Sequence, residues 1–471
     1  MKTIVYKIIR LMFYACTFLL ILYGMTICVA RIFAPFQFDV FEGKVLCEAY
    51  ESSLGKSVYH NPELPGAPTV YTPLYPLFIG ILLRFLPPLF VWGRLLSALS
   101  FVGIIGLVVM YFVHEEKNKR EIIFIIIAMF VSTLWQTDWI AILHKPDTLC
   151  IFLWILALVL LLKNAKKADV ISAFLMAGAF FVKQTALFPL PGALLYLWLD
   201  KPRRSLFYLA SWIFSWLIWC GVVYLWAGDH VFFYVFRRLW MKIEYSFPLS
   251  QVLRYFLASR EMPFNVVMLF LAICMFNRLW GHPSYRLMLC NIPFLFVGSV
   301  ITASSWTAGA NSMLPFYCGM VILGALALME ILKVWQGRVG LYGMMLLLII
   351  FQFDSRMPYH ISKSFGRFDK DFVGLVQFLK KQEGSMYCPT DNVVTLLAGR
   401  HNYEDLFLAW EIDPGRTDCV ARVKEKINAC DVDWLILHKT EIPPGTIKEN
   451  TFQIYEKKKE FGEWEVFKKN Y

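Results

Sequence analysis

Residues 11–30 read Leu-Met-Phe-Tyr-Ala-Cys-Thr-Phe-Leu-Leu-Ile-Leu-Tyr-Gly-Met-Thr-Ile-Cys-Val-Ala, a run without a single charge. As a helix it would rise about 30 Å, the thickness of a bilayer core. It is too long for the core of a cleaved signal, and no small-residue cleavage site follows it, so it reads as a retained signal-anchor span. Lys2, Lys7 and Arg10 precede it, which predicts a cytoplasmic N-terminus. Just past its other end lies Phe36-Gln-Phe-Asp-Val-Phe-Glu-Gly43. Asp39 and Glu42 are three apart, so on a helix both carboxylates share one side. Paired acids where a span opens into a long loop point to general-base or metal chemistry on a substrate arriving from the lipid. The plain alternative is two solvated loop acids.

The same apolar character runs through the chain. Of 471 residues, 58% are hydrophobic, and further uncharged blocks approach the roughly 20 residues that cross a membrane. The sequence predicts a polytopic membrane protein. Its net charge of +11 is no nucleic-acid signal, because Lys and Arg sit in short clusters between apolar blocks. Cys16, Cys28, Cys150, Cys220, Cys274, Cys290 and Cys318 lie in those blocks, where cysteine acts as a small hydrophobe. No C-x-x-C or His/Cys metal spacing occurs.

The basic clusters assign sides. Met1–Arg10, His114–Arg120, Lys163–Lys167, Lys201–Arg204, Asn277–Arg286 and Lys333–Arg338 are predicted inside. Leu74–Leu86 is apolar but short, holds Pro76 and Arg84, and precedes Pro87-Pro88. If it crossed, every later basic cluster would change sides, so it is read as an interfacial or re-entrant helix. Residues 33–88 then form one external loop, with amphipathic pieces near Val40–Leu54 and Leu74–Leu86 and a turn-rich stretch over His60–Pro68. Further spans are expected near 89–113, 121–137, 148–162, 169–182, 185–200, 205–227, 262–276, 287–303, 312–332 and 339–353, about eleven in all. Residues 228–262 are read as an external amphipathic segment able to meet anionic lipid headgroups.

The pair 169–200 is too short for two crossings. Each arm holds about 15 residues, roughly 22 Å against a core of roughly 30 Å. Its turn, Val182-Lys183-Gln184-Thr185, must therefore lie below the outer surface, where non-helical backbone needs protein or a wet cavity beside it. Lys183 is then a buried cation at the start of the returning helix, a phosphate site by charge and dipole together. A lysine snorkelling to the interface is the alternative. The preceding pair turns through Gln136–Asp147, with Asp138 in the turn and His144, Lys145, Pro146 and Asp147 opening the returning helix. Asp147 suits a first helical turn, where a carboxylate complements the dipole. Asn311 stands just before a span and can cap it.

Residues 354–471 form a separate soluble domain. Helix-like segments (Phe368–Gln382, Asp418–Ala429) alternate with strand-like ones (Ser385–Pro389, Asp433–His438, Phe452–Tyr455, Glu463–Phe467), which predicts a small α/β domain on the outer face.

Several motifs resemble those of one family in order and placement. Asp39-Val-Phe-Glu42-Gly43 is followed by Ala49, Gly55, Tyr59 and Tyr71-Thr-Pro-Leu-Tyr75. Gly93-Arg94-Leu-Leu-Ser97 begins the next span, Lys145-Pro146-Asp147 stands where an Arg-Pro-Asp turn is usual, and Lys183-Gln184-Thr185 is intact. Asn311 precedes Leu314-Pro315, and the tail offers Asp391…Leu396-Leu-Ala-Gly399-Arg400. Over about residues 8–340 the chain resembles the GT-C glycosyltransferases. These polytopic enzymes take a sugar from a polyprenyl-phosphate carrier, and they include protein O-mannosyltransferases and the aminoarabinose transferase that modifies lipid A. The resemblance implies a mostly α GT-C transmembrane domain over 1–353 and an extracytoplasmic α/β domain over 354–471. Lysine for arginine at 145 replaces a bidentate phosphate contact by a point charge.

The resemblance further implies an inverting transfer to an acceptor hydroxyl on the outer face of the inner membrane. Asp39 would be the base, with Glu42 as orienting partner or metal ligand, and the two can exchange roles. Lys183, with Lys145 and Arg94, would neutralise the departing phosphate. Gln184, Asp147, Tyr71, Tyr75 and Asn311 complete the substrate-binding set. A divalent metal on Asp39, Glu42 or Asp147 is compatible with this but not demanded. The expected partners are the lipid-linked donor, membrane lipids and an acceptor that is a glycan, a lipid or a protein. A transporter or flippase also uses broken helices, but the chain shows no internal repeat. A non-catalytic scaffold presenting the outer domain and an O-antigen type polymerase or ligase stand beside it as rival functions.

Overall fold

The computed structural model describes residues 2–59, 71–112, 119–136, 140–237, 262–304, 310–334, 370–389, 391–400, 432–439 and 454–470. The chain forms two compact units that interleave in sequence. One comprises Met1–Val29, Leu95–Val222 and Leu239–Pro358, and the other Ala30–Arg94, Val223–Arg238 and Tyr359–Tyr471. The boundary expected near 353 and 354 falls outside the described residues, as do the turn over 60–68, Asp138, the amphipathic segment beyond 237 and the last expected span, 339–353.

Among the described residues the main helices in chain order are α1 (Lys2–Phe33), α2 (Val40–Ser53), α3 (Leu74–Leu83), α4 (Phe90–Phe112), α5 (Lys119–Gln136), α6 (Asp147–Leu161), α7 (Lys166–Val182), α8 (Pro189–Asp200) and α9 (Pro202–Ala227). They continue with α10 (Met262–Cys274), α11 (Pro283–Ala303), α12 (Leu314–Val334), α13 (Lys370–Leu379) and α14 (Asn392–Leu397). Among the described residues, five stretches are long and apolar enough to cross a membrane: Lys7–Phe33, Phe90–Tyr111, Pro202–Ala227, Pro283–Ala303 and Asn311–Ile331. Their outward faces carry bare apolar side chains such as Leu11, Phe18, Val102, Phe214 and Leu225. Soluble monomers rarely leave large apolar surfaces uncovered. The protein is polytopic, and several of its remaining apolar helices are half-length.

In the first unit α12 is the central helix, its apolar window wholly buried. α10 and α11 pack on it, and α8 packs on α11 at Gly192, where a Cβ would lie 2.6 Å from the Asn291 Cα. α6 and α7 pair closely. Ser172 donates to the Ala157 carbonyl at 2.7 Å. At the far end of the pair, Arg204 of α9 holds Asp169 through Nε and Nη2 at 2.8 and 2.7 Å and reaches the Leu161 carbonyl at 2.7 Å. That one guanidinium joins the end of α6 to the starts of α7 and α9.

In the second unit α2 and α3 lie face to face around Gly80, whose absent Cβ would sit 2.8 Å from the Ala49 carbonyl oxygen. These are the two expected loop helices, within a few residues of their predicted ends. Among the described residues the tail carries a four-stranded sheet, β1 (Met386–Tyr387), β2 (Trp434–His438), β3 (Tyr455–Phe461) and β4 (Trp464–Lys469), in the order β1-β2-β4-β3. β1 runs parallel to β2, and the other two pairings are antiparallel. Tyr387, Val432, Leu435, Leu437, Tyr455 and Phe467 form its core, and Phe378 of α13 meets Trp434 edge-on at 6.0 Å. Two expectations need correction. The strand expected to end at Tyr455 continues from Tyr455 through Glu-Lys-Lys-Lys-Glu-Phe, an exposed edge whose charges hide the strand pattern while guarding the edge, and Phe452 and Gln453 lie outside the described residues. The six-residue α14 has no counterpart among the expected elements. The helix-like stretch Asp418–Ala429 lies outside the described residues.

Candidate active site

The bend between α1 and α2 is built by its charged residues. Asp39 has extended backbone (φ −149°, ψ 137°) and caps α2, accepting from the Phe41 N–H at 2.8 Å. An aspartate is among the best helix N-caps. Glu42, three residues on, folds back to accept from the Phe38 N–H at 2.8 Å. The acidic pair is thus a reciprocal cap closely related to the capping box. It does not project two equivalent carboxylates. Asp39 is half-buried, whereas Glu42 is wholly buried.

Arg94 explains the difference. Its Nε and Nη2 meet the two oxygens of Glu42 at 2.9 and 2.8 Å. Nη1 donates to the carbonyls of Arg31 and Ala34 at 2.7 and 2.8 Å, and Nη2 also donates to Phe36 at 2.7 Å. A guanidinium has five N–H donors, and all five are used inside this bend. The expected part of Arg94 as a phosphate helper is therefore corrected. It has no donor left for a phosphate, and it secures the carbonyls released where α1 ends. Glu42 likewise does not fit as a metal ligand, since both its oxygens lie on Arg94. Among the described residues no three His, Cys, Asp or Glu side chains group as a ligand set.

The two loop tyrosines are buried near this bend. Tyr75 donates to the Gly93 carbonyl at 3.2 Å and so ties α3 to the start of α4. Tyr71 packs edge-on against Phe41 at 6.3 Å, and its carbonyl accepts from the Tyr59 hydroxyl at 2.8 Å. Burial, and then the Glu48 charge, push the Tyr59 phenol well above its ordinary value, so it stays a donor. Sequence reasoning missed three buried charges on α2, Lys44, Glu48 and Glu51. Their i, i+4, i+7 spacing, which sets all three on one side of the helix, was the available signal. It also missed Asp391 as a contact of the loop. Asp391 caps α14 and accepts from Gln37 Nε2.

In the first unit, polar residues from three distant segments converge. Asp147 occupies the first turn of α6 after Pro146, as expected from the dipole argument. Its Oδ1 accepts from Lys183 Nζ and from Asn311 Nδ2, the latter at 3.1 Å. Asn311 lies in the 3-10 turn Ala310–Met313 and so reaches across to α6. All three side chains are at least nine-tenths buried. Asp147 Oδ2 is buried and, among the described residues, accepts no hydrogen bond. Lys145 is buried two residues away, and its turn is pinned to α4 by Ser97, whose Oγ donates to the carbonyls of Leu143 and Lys145 at 2.7 and 3.2 Å.

Lys183 stands in a genuine break. Its extended backbone (φ −159°, ψ 136°) ends α7, and a 3-10 turn, Gln184–Leu187, follows with Gln184 half-buried at its start. The returning α-helix begins at Pro189 rather than at 185. Proline is preorganised for the first helical position and lacks the N–H that an earlier start would require. The α-helix N-terminus expected at Lys183 is therefore absent there, and the helix-dipole part of the expected phosphate site falls away. Cys150 of α6 approaches the Lys183 carbonyl at 3.6 Å, so the first turn of α6 abuts the break.

No family model matches the sequence, and no curated protein matches it. Solved structures do resemble it. ArnT from Cupriavidus metallidurans bound to undecaprenyl phosphate superimposes with a TM-score of 0.61 at 13% identity, over 95% of this chain and 97% of that one. The same protein in the apo state gives 0.62 at 12% identity, with the same coverage. The likeness extends over nearly the full length of both chains, and the chain has the GT-C fold.

Proposed function

We propose that this GT-C chain is a membrane glycosyltransferase that moves a sugar from a polyprenyl-phosphate carrier to an acceptor hydroxyl. The reading rests on one observation: a buried ammonium, carboxylate and carboxamide, Lys183, Asp147 and Asn311, meet at a helix break. Buried charges of this kind in a membrane fold mark substrate paths. The support from likeness is that a neighbour of the same fold was crystallised with undecaprenyl phosphate.

The chemistry follows from the groups. The acceptor oxygen attacks the anomeric carbon while its proton passes to Asp39. The bond from that carbon to the phosphate oxygen breaks, and the polyprenyl phosphate departs with the electron pair. The configuration inverts. A general base in this position contributes about 10²–10⁴ in rate. Asp39 suits the task because it is half-buried and one of its oxygens already accepts from backbone, which fixes its direction. Glu42 orients the bend through Arg94. Lys183 and Lys145 stabilise the departing phosphate charge, with Asp147 and Asn311 holding Lys183 in place. Gln184, Tyr71 and Tyr75 complete the substrate-binding set. A divalent ion, when bound, would add Lewis-acid neutralisation of the phosphate, with Asp39 or Asp147 as its carboxylates.

In this reading the N-terminus is cytoplasmic, and the tail, residues 354–471, is an outer-face domain of an inner-membrane enzyme. The acceptor is a glycan, a lipid or a protein. The test uses the full-length protein in native-membrane nanodiscs, which retain envelope glycans, lipids and proteins as acceptors, with undecaprenyl phosphate carrying glucose, mannose or aminoarabinose, following release of undecaprenyl phosphate. Wild type is expected to turn over one of these donors and Asp39→Asn to lose that turnover. Wild-type turnover by Asp39→Asn removes the base assignment, and no turnover of any donor by wild type removes the reaction.

A further inference from the structure

Asp39 lies in a bend that touches the tail on both of its sides. Two residues before it, Gln37 donates through Nε2 to the carboxylate of Asp391. Four residues after it, Gly43 faces α14, where an added Cβ would lie 2.9 Å from Val393 Cβ and would also contact Gln37 Oε1. That Oε1 is buried and, among the described residues, accepts no hydrogen bond, so the amide is held from its nitrogen side. The Asp391 carboxylate has two tasks. Oδ1 caps α14 by accepting from the Val393 N–H at 3.4 Å, and Oδ2 receives Gln37. Asp391 is buried, so the charge-assisted bond it makes is shielded from water.

We infer that α14 of the tail is a positioning element for Asp39, with Asp391 and Gln37 as its positioning residues. The inference rests on the proposed role of Asp39 and extends it by giving the tail a part in the reaction. The backbone of the bend's N-terminal half is held from within, Glu42 accepting from the Phe38 N–H. Arg94 holds the carbonyls of Arg31, Ala34 and Phe36, but the Gln37 side chain is held by the tail. A general base displaced by about 1 Å loses on the order of 10²-fold in rate. Reach between Asp39 and the acceptor proton therefore depends on a contact made several hundred residues further along the chain.

The experiment compares Gln37→Glu with the double replacement Gln37→Glu/Asp391→Asn. The single change sets one carboxylate against another. The double change reverses the polarity of the same bond. An asparagine introduced at position 391 can still cap α14 through Oδ1, while its Nδ2 donates to the glutamate introduced at position 37. Turnover of the undecaprenyl phosphate-linked sugar is measured, together with amide hydrogen exchange over residues 36–43. Gln37→Glu is expected to lower kcat by about 10–100-fold with KM within about twofold and to speed exchange in the bend. The double variant should restore both. A wild-type kcat in Gln37→Glu, alongside an inactive Asp39→Asn, overturns the positioning role and leaves the base intact. Unchanged exchange in Gln37→Glu overturns the coupling whatever the turnover. An active Asp39→Asn signals failure of the underlying catalytic reading instead.

Discussion

Glu42 and Arg94 form a two-pronged ion pair at 2.9 and 2.8 Å with neither side chain exposed to solvent. A pair so buried is costly to break from one side, because the survivor keeps its desolvation penalty without its partner. The two acids of the loop therefore do different work. One is committed to architecture, and the other remains reachable. This separates the consequences of mutating them.

Removing the charge from Glu42 should unfold the bend. Glu42→Gln and Arg94→Met are each expected to destabilise the second unit by about 3–5 kcal/mol. Thermal unfolding in detergent, followed by intrinsic fluorescence, should show a lowered midpoint for both. An unchanged midpoint would mean that the buried pair is not structural.

Asp39→Asn should behave in the opposite way. Asparagine caps a helix as well as aspartate does, so the Phe41 N–H keeps its acceptor and the midpoint should not move. Turnover should fall by about 10²–10⁴ because the amide cannot take a proton. A variant that unfolds instead would assign Asp39 to architecture alongside Glu42.

The Asp147 cluster yields a graded series. Asp147→Ala removes the carboxylate from a buried ammonium and should cost about 3–5 kcal/mol. Asp147→Asn keeps an acceptor for Lys183 and Asn311 and should cost less. Lys183→Gln keeps a donor toward Asp147 while losing the charge, so it should retain the fold and bind undecaprenyl phosphate roughly tenfold more weakly or worse, about 1.4 kcal/mol. Isothermal titration with undecaprenyl phosphate checks this, and equal affinity rejects the phosphate role of Lys183.

The tail sheet carries a pH signature. Hydrogen bonds from Lys439 and Lys457 hold the Glu460 carboxyl down at about 2, from an ordinary 4.5. A carboxylate lowered on folding stabilises fully above its unfolded value and loses that contribution as pH falls through its folded value. Acid weakening of the β3–β4 edge is thus expected between about pH 4.5 and 2, and it should be blunted by salt because the pair is exposed. Glu460→Gln should flatten that acid limb in a pH series of unfolding midpoints, and an unaltered limb would discount the pair.

Packing of the loop helices gives one more test. Gly80→Val places branched carbon where the Ala49 carbonyl already lies 2.8 Å from a bare Cβ position. Backbone cannot yield as a flexible side chain does, so the change should cost about 1–3 kcal/mol or more. It is read as a lower unfolding midpoint, and an unchanged midpoint would show that α2 and α3 can part.

The helices were legible because their signals are local. Apolar runs bounded by Lys and Arg marked the long spans, and Pro87-Pro88 marked the end of the short loop helix. Asp147, Lys183 and Asn311 were visible as polar breaks between apolar runs. Their meeting on one carboxylate oxygen was not visible, because residues 147, 183 and 311 are brought together only by helix packing. Arg94 misled for a similar reason. A guanidinium at a span start looks like an anion site until its donors are counted against carbonyls, which leave no mark in a sequence. β3 was displaced because an edge strand armoured with lysine and glutamate lacks the alternation that betrays a strand. The six-residue α14 is too short for a periodicity signal, and its only clue was Asp391 before an apolar pair.

The interleaving of the second unit sets an order of events during synthesis. Ala30–Arg94 leaves the ribosome well before Tyr359–Tyr471 has been translated. The stretch that Gln37 and Gly43 lend to α14 must wait, inserted beside its membrane anchor yet missing its mate. A nascent chain arrested before Asp391 would therefore carry every catalytic candidate while leaving the bend unlatched, and the latch could close only once α14 had emerged.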